Sequence, residues 1–265
     1  MNKSKGWLFF LALTIALSAG GLSCGISNFP NPFATDIPTS TATFTLTPTF
    51  TPSPTATSTP TQTPTSTPLP TGIETQELSD GSTLFIDYDN KYQLTLPESW
   101  VIIPLVKEDL EAMLDKTAKD NPEFAKAAEA FKGLDSNVLR MVALNSKREY
   151  LAGGYASNIT VAAIGDPIFS AMPLSFITGA LEESFTQQGI KVLTSGVNTI
   201  ENANDMDIEF IDVEQNIKGV QVKQKLIVFQ SNKKLIIITV STLARFEKEI
   251  FAVAEQIGAS VELLK

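Results

Sequence analysis

From Tyr92 to Leu96 every second residue is apolar, the period that turns one face of a strand toward a core. Strands are predicted over Ser82–Tyr88 and Tyr92–Leu96, with Asp89-Asn90 as the turn between them. Pro97 closes the second strand, because it has no N–H to give a ladder. The period then lengthens. Leu110, Met113, Leu114 and Ala118, followed by Phe124, Ala127, Ala128 and Phe131, recur at the spacing of helix faces. Asn121-Pro122 reads as the N-cap and first position of the second helix, and Gly133 as its stop.

Strand patterns resume at Val138–Leu144 and Asn158–Ile164, around a loop that carries Gly153-Gly154. A helix over Leu174–Gln188 sets Leu174, Ile177, Leu181 and Phe185 on one stripe. Four further strands are expected at 191–200, 206–213, 220–229 and 235–241, with tight turns at Asn216–Gly219 and Ser231–Lys234. A last helix, Phe246–Ala259, buries Phe246, Ile250, Val253, Ala254 and Ile257. The order ββ-α-ββ-α-ββββ-α predicts an α+β fold, a mainly antiparallel sheet covered by helices. Its hairpins argue against a doubly wound parallel sheet, which needs helical crossovers throughout.

The first 71 residues follow neither period. Lys3 and Lys5 form a basic start, Trp7–Leu17 an apolar run, and Ser18, Ala19, Gly20 and Gly21 a small-residue stretch. The apolar run is shorter than the ~20 residues a membrane-spanning helix needs and reads as an export signal. It leads to Gly21-Leu22-Ser23-Cys24-Gly25, which holds the sole cysteine of the chain. This stretch resembles the bacterial lipobox, with Leu22 two residues before the cysteine where the family places it three before. The resemblance implies a thioether-linked diacylglycerol on Cys24 and cleavage ahead of it, so that residues 1–23 are a signal peptide and the chain is held on the outer face of the cell membrane. Without a lipid, an exported chain would carry a lone thiol with no internal partner.

Ten of the fifteen prolines fall between Asn28 and Thr71, and "TPTFTPSPTATSTPTQTPTSTPLPT" (47–71) is nearly a Thr-Pro repeat. Asp36 is the only charge between Gly25 and Gly72. Such a segment has too few apolar residues to form a core. Residues 24–71 are expected to be a disordered, polyproline-II-like stalk, rising roughly 3.1 Å per residue where extended. Dense Thr and Pro also resemble glycosylated stalks.

Residues 72–265 form the expected globular domain. They hold 18 basic and 28 acidic residues, a formal charge of −10. That balance argues against nucleic acid and against anionic lipid headgroups as partners. The chain has no histidine and its cysteine lies outside the domain, which removes Ser-His and Cys-His catalysis and the commonest zinc ligand. Gly153-Gly154 is too short to be a phosphate loop. Paired carboxylates could still serve a hydrolase, although no pair stands out, and no cofactor is expected.

Two groups remain as candidate sites. Arg148, Tyr150 and Tyr155 flank the glycine-bearing loop and suit an interaction surface. Asn202, Asn204, Asp205 and Asp207, with Glu201, offer oxygen ligands for calcium, without the glycine and glutamate spacing of an EF-hand. The alternative is a solvated turn, with Asp207 and Glu209 facing outward opposite Ile208 and Phe210.

"YDNKYQLTLPESW" (88–100) resembles the opening signature of PsbP-like and Mog1-like domains, on Tyr88, Tyr92, Leu94, Pro97 and Trp100. "SNITVAAI" (157–164) is similar to a middle strand of that group, and Ile257–Ser260 to its closing helix. The resemblance spans most of residues 81–263 and implies an α-β-α sandwich. It points to a non-enzymatic domain that binds a protein partner in the cell envelope; a small-molecule or calcium module, and a carboxylate hydrolase, are the alternatives. Tyr88, Tyr92 and Trp100 either line a cleft or complete the core.

Overall fold

A computed structural model describes residues 70–105, 107–129, 138–151, 155–165, 169, 171–194, 200–201, 206–217 and 219–265. Signal, Cys24 and nearly all of the stalk lie outside them, as do Phe131, Gly133, Gly153 and Gly154. In chain order the strands are β1 Ile73–Glu77, β2 Thr83–Asp87, β3 Tyr92–Leu96, β4 Trp100–Ile103, β5 Leu139–Asn145 and β6 Asn158–Ile164. They continue as β7 Lys191–Val192, β8 Ile200–Glu201, β9 Asp207–Ile217, β10 Val220–Ser231, β11 Lys234–Leu243 and β12 Glu262–Leu263. The helices are α1 Lys107–Thr117, α2 Pro122–Glu129, α3 Leu174–Gln187 and α4 Glu247–Ser260. The fold is α+β with antiparallel sheets, as the sequence predicts.

The large sheet runs β4-β5-β6-β11-β10-β9-β7, with β8 also on β9, and all of its pairings are antiparallel. Its central strands are covered on both faces, which explains runs such as "LIIITV" in β11, buried at every position. On one face Phe210, Ile227, Phe229 and Ile238 meet Tyr92 and Leu94 of β3 and Ile250, Ala254 and Ile257 of α4. On the other, Ile177, Leu181 and Phe185 of α3 lie on Ile211, Leu226, Val228 and Ile237. Leu110 of α1 and Phe124 and Ala128 of α2 cover Val142 and Leu144 of β5.

The β2–β3 hairpin does not extend the large sheet. It belongs to a four-stranded layer, β1-β2-β3-β12. β12 joins through Leu263↔Tyr92 and Glu262↔Gln93, a pairing between residues about 170 positions apart that local patterning does not encode. Of the predicted strand 191–200, the described residues pair with β9 at Lys191↔Glu214 and Ile200↔Ile208, and 195–199 lie outside the described residues.

The registers give the domain two ends. At the entry end stand Ile73 opposite Asp87, the β2–β3 turn, and the Ser231–Lys234 turn. At the far end stand the Ile217–Val220 hairpin and Leu243 opposite Val222. In the β10–β11 turn Asn232 and Lys233 have φ of 45° and 62°, the left-handed pair that a two-residue hairpin of matching twist requires. Near its C-terminal end α4 comes close to the sheet at Gly258, where a Cβ would sit 2.7 Å from the Phe210 ring.

Two opposite changes in stability follow, both measurable by urea denaturation. Gly258→Ala is expected to lower stability by about 1–2 kcal/mol, the overpacking outweighing the gain in helix propensity. Lys233→Gly is expected to raise it by ~1 kcal/mol, by relieving a left-handed lysine.

Candidate functional site

The stretch from Tyr88 to Trp100 is knotted to its surroundings by one buried carboxylate. Asp87, at the end of β2, is wholly buried, so its charge must be matched. Arg140 of β5 reaches it with two bonds, Nε to Oδ2 at 2.9 Å and Nη2 to Oδ1 at 3.1 Å. The same Nη2 donates to Asp89 Oδ2 at 2.9 Å. Asn90 adds its backbone N–H to Asp87 Oδ1 at 3.1 Å and its amide to Oδ2 at 2.5 Å.

Asp89 then accepts the Gly72 N–H at 2.9 Å, fixing where the chain enters the domain. That bond, followed by Arg140, holds the Asp89 carboxyl below its ordinary range. Ser231 Oγ donates to the Asn90 carbonyl at 2.5 Å, and Asn232 Nδ2 to the Asp89 carbonyl at 2.8 Å. Chain entry, small sheet and large sheet therefore meet in one turn. Tyr92 and Trp100 complete the core, Tyr92 edge-on to Phe229 at 5.5 Å. Burial and then the Asp87 charge push the Tyr92 hydroxyl well above its usual pKa. Tyr88 remains half-exposed and donates to Glu74 at 2.8 Å.

The predicted surface triad is not brought together. Arg148 is exposed in a 3-10 turn, Arg148–Tyr150. Tyr150 lies partly buried, edge-on to Phe246 at 4.8 Å, its hydroxyl donating to Glu249 at 3.1 Å. Tyr155 is 2% exposed, which removes it from any docking surface in this conformation. It packs with Val222 and Leu243 and accepts from Asn158 Nδ2 at 3.2 Å. Burial pushes its hydroxyl up to about 12. From it a polar seam crosses the sheet: Ser241 accepts from Gln224 at 2.9 Å, and Gln224 from Gln215 at 2.7 Å. Asn158 Oδ1 is buried without a hydrogen-bond partner among the described residues.

Asn202, Asn204 and Asp205 lie outside the described residues, and Asp207 is exposed at the start of β9. Among the described residues no group of three or more His, Cys, Asp or Glu is placed to hold a metal. The expectation of an outward Glu209 is corrected. Glu209 is buried beneath α3, where Thr178 donates to its carboxylate. Alternation does hold, with Asp207 and Glu209 on one face, but α3 covers that face. Burial, with the Asp207 and Glu182 charges, raises the Glu209 pKa although the Thr178 bond opposes it. Asp212, a further inward carboxylate, is matched by Lys225 at 3.1 Å, which also lies 5.0 Å over the Phe251 ring.

Replacing Arg140 with Met should leave Asp87 buried and unmatched, at a cost of about 3 kcal/mol or more in urea denaturation. Glu209→Gln works the other way. A carboxyl whose folded pKa is raised weakens the fold when ionised, so the substitution should stabilise at neutral pH. The gain should shrink as pH falls below the raised pKa and be gone below the ordinary carboxyl range, where the wild-type group is neutral in both states. A gain independent of pH would rule out the ionisation cause.

No protein-family model and no curated protein sequence matches the chain. Solved structures of similar layout include the solution structure of cyanobacterial PsbP from Synechocystis sp. PCC 6803. It is 10% identical, with 69% of this chain and 93% of that one covered, at a TM-score of 0.44. LpqN, involved in cell envelope biogenesis of Mycobacterium tuberculosis, is 13% identical over 73% and 91%, at 0.40. A Pseudomonas aeruginosa protein of unknown function is 10% identical over 70% and 94%, at 0.32. These likenesses concern general layout and assign no role to this chain.

Proposed function

We propose that this chain is an exported lipoprotein, held on the outer face of the cell membrane by acylated Cys24, whose folded domain is a non-enzymatic module for a protein partner in the envelope. The observation that carries the reading is the position of Cys24. It follows a basic start and an apolar run, and precedes the Thr/Pro stretch that separates it from the domain. Two or more acyl chains hold where one binds only marginally, at roughly 0.8 kcal/mol per buried CH₂.

The inward acids support a structural role for the domain. Asp87 is committed to a cation of the other sheet, Asp212 to one on the neighbouring strand, and Glu209 to Thr178 under α3. Partner contact is assigned to the exposed 3-10 turn bearing Arg148, where Arg and the rim of Tyr150 offer the chemistry that anchors interfaces. Tyr155 has no part in it.

Mass spectrometry of the mature N-terminal peptide should find a diacylglycerol-modified Cys24, and Cys24→Ser should move the protein from the membrane fraction to the soluble one. An unmodified Cys24 in the mature chain would overturn the anchor. A photo-crosslinker at position 148 should trap one envelope protein in cells, and Arg148→Ala should lower that yield severalfold.

A further inference from the structure

β1 pairs with β2 alone and ends the small sheet. At five residues it is the longest strand with a single partner strand among the described residues; β4 has four, and β7, β8 and β12 have two each. All five of its side chains are exposed. Such an edge is a template for another strand unless proline, lysine, a bulge or a covering element blunts it. β1 holds neither proline nor lysine, and its register with β2 runs unbroken from Ile73↔Asp87 to Glu77↔Thr83.

The phase of the ladder decides which backbone groups face outward. Tyr88 donates its N–H to the Gly72 carbonyl at 2.9 Å, and Leu78 donates its own to the Ser82 carbonyl at 2.8 Å. Both rungs continue the β1–β2 register, one at each end. Hydrogen-bonded pairs recur at every second residue of an antiparallel ladder. Glu74 and Gln76 therefore turn their backbone groups to β2, and the N–H and C=O groups of Ile73, Thr75 and Glu77 point to the open edge.

We infer that this edge pairs with the same edge of a second copy of the chain, antiparallel, about a two-fold axis at Thr75. That register sets Thr75 against Thr75 and Ile73 against Glu77 of the other copy, each a hydrogen-bonded pair that exchanges two bonds. Glu74 then stands opposite Gln76, whose amide can donate to Glu74 Oε1; Oε2 already accepts the Tyr88 hydroxyl. No two acids are directly opposed, which is the arrangement cross-strand pairing favours. A slip by one residue would set outward backbone groups against inward ones. A slip by two keeps only three of the five rungs, and in one direction sets Glu74 against Glu74. The joined sheet runs β12-β3-β2-β1 and returns through the second copy in reverse order. The pairing does not depend on a lipid at Cys24.

The test uses the full chain with Cys24→Ser, in which an introduced cysteine is the sole thiol. It is made in ~0.15 M salt, where screening limits the repulsion between two acidic domains. Across a hydrogen-bonded pair the Cα atoms lie about 5.5 Å apart, within reach of a disulfide; an offset of four residues puts them about 14 Å apart, beyond it. In a glutathione redox buffer Thr75→Cys should form a covalent dimer, at a yield roughly tenfold above Ile73→Cys or Glu77→Cys alone. Mixing those two variants should restore cross-linking, between unlike chains. Thr75→Pro removes an outward N–H and leaves the β2 ladder whole. Sedimentation should find it monomeric where the Cys24→Ser chain dimerises, with its urea midpoint retained; if it fails to fold, the thiol yields decide alone.

Equal yields at positions 73, 75 and 77 would mark random collision and overturn the pairing, as would no covalent dimer at any of them. Capture of Thr75→Cys in cells by a different protein, while the purified chain stays monomeric, would assign the edge to a strand of that protein and overturn the self-pairing as well.

Discussion

Burying Asp87 creates the obligation that organises this domain. A carboxylate without water needs a cation and several donors, and those donors come from parts of the chain far apart in sequence. Arg140 lies 53 residues away and belongs to the other sheet, and Asn90 closes the local turn. Asp89 and the carbonyls of the same turn draw in Gly72, Ser231 and Asn232. One ion pair thereby sets the distance between two sheets, the shape of the β2–β3 turn and the place where the chain enters. The apolar layer of Tyr92, Leu94 and Phe229 fills the space so defined.

The two halves of the large sheet answer different demands. Toward the entry end its inward faces are apolar apart from Glu209 beneath α3, and meet α3, α4 and the small sheet. Toward the far end polar groups come inside in matched sets. Lys225 faces Asp212 and Lys223 faces Glu214 across β9 and β10, while Gln215, Gln224 and Ser241 run in a hydrogen-bonded line on the opposite face. Such pairs fix register, since a slip of one residue would turn each charge to the wrong side of the sheet.

Period explains what was legible in the sequence. The hairpins of β9, β10 and β11, the helix faces of α3 and α4 and the mixed fold class all follow from alternation and three-to-four spacing. The strands that escaped, β1, β4 and β12, are two to five residues long, and their partners are the only reason they are strands. Side-chain environments were less accessible. The Asp87–Arg140 pair has no local signature, although an acid at the close of an apolar strand, just before Tyr-Asp-Asn, was the available hint. Tyr155 reads as a loop residue because it directly follows Gly153-Gly154, yet its ring closes over Val222 and Leu243. Glu209 looked outward because alternation alone cannot say that a helix will cover that face.

β1 is exposed at all five positions, so side-chain burial does not account for its place in the sheet. Its backbone ladder with β2 does, from Ile73↔Asp87 to Glu77↔Thr83. The chain arrives at the Ile73 end, and a load between that point and a grip at the far end acts along the strand axis. Ladder hydrogen bonds lie perpendicular to that axis, so tension would shear the rungs together instead of peeling them singly. An exposed strand of five residues then serves as a mechanical splice, passing tension into the domain without drawing on the core.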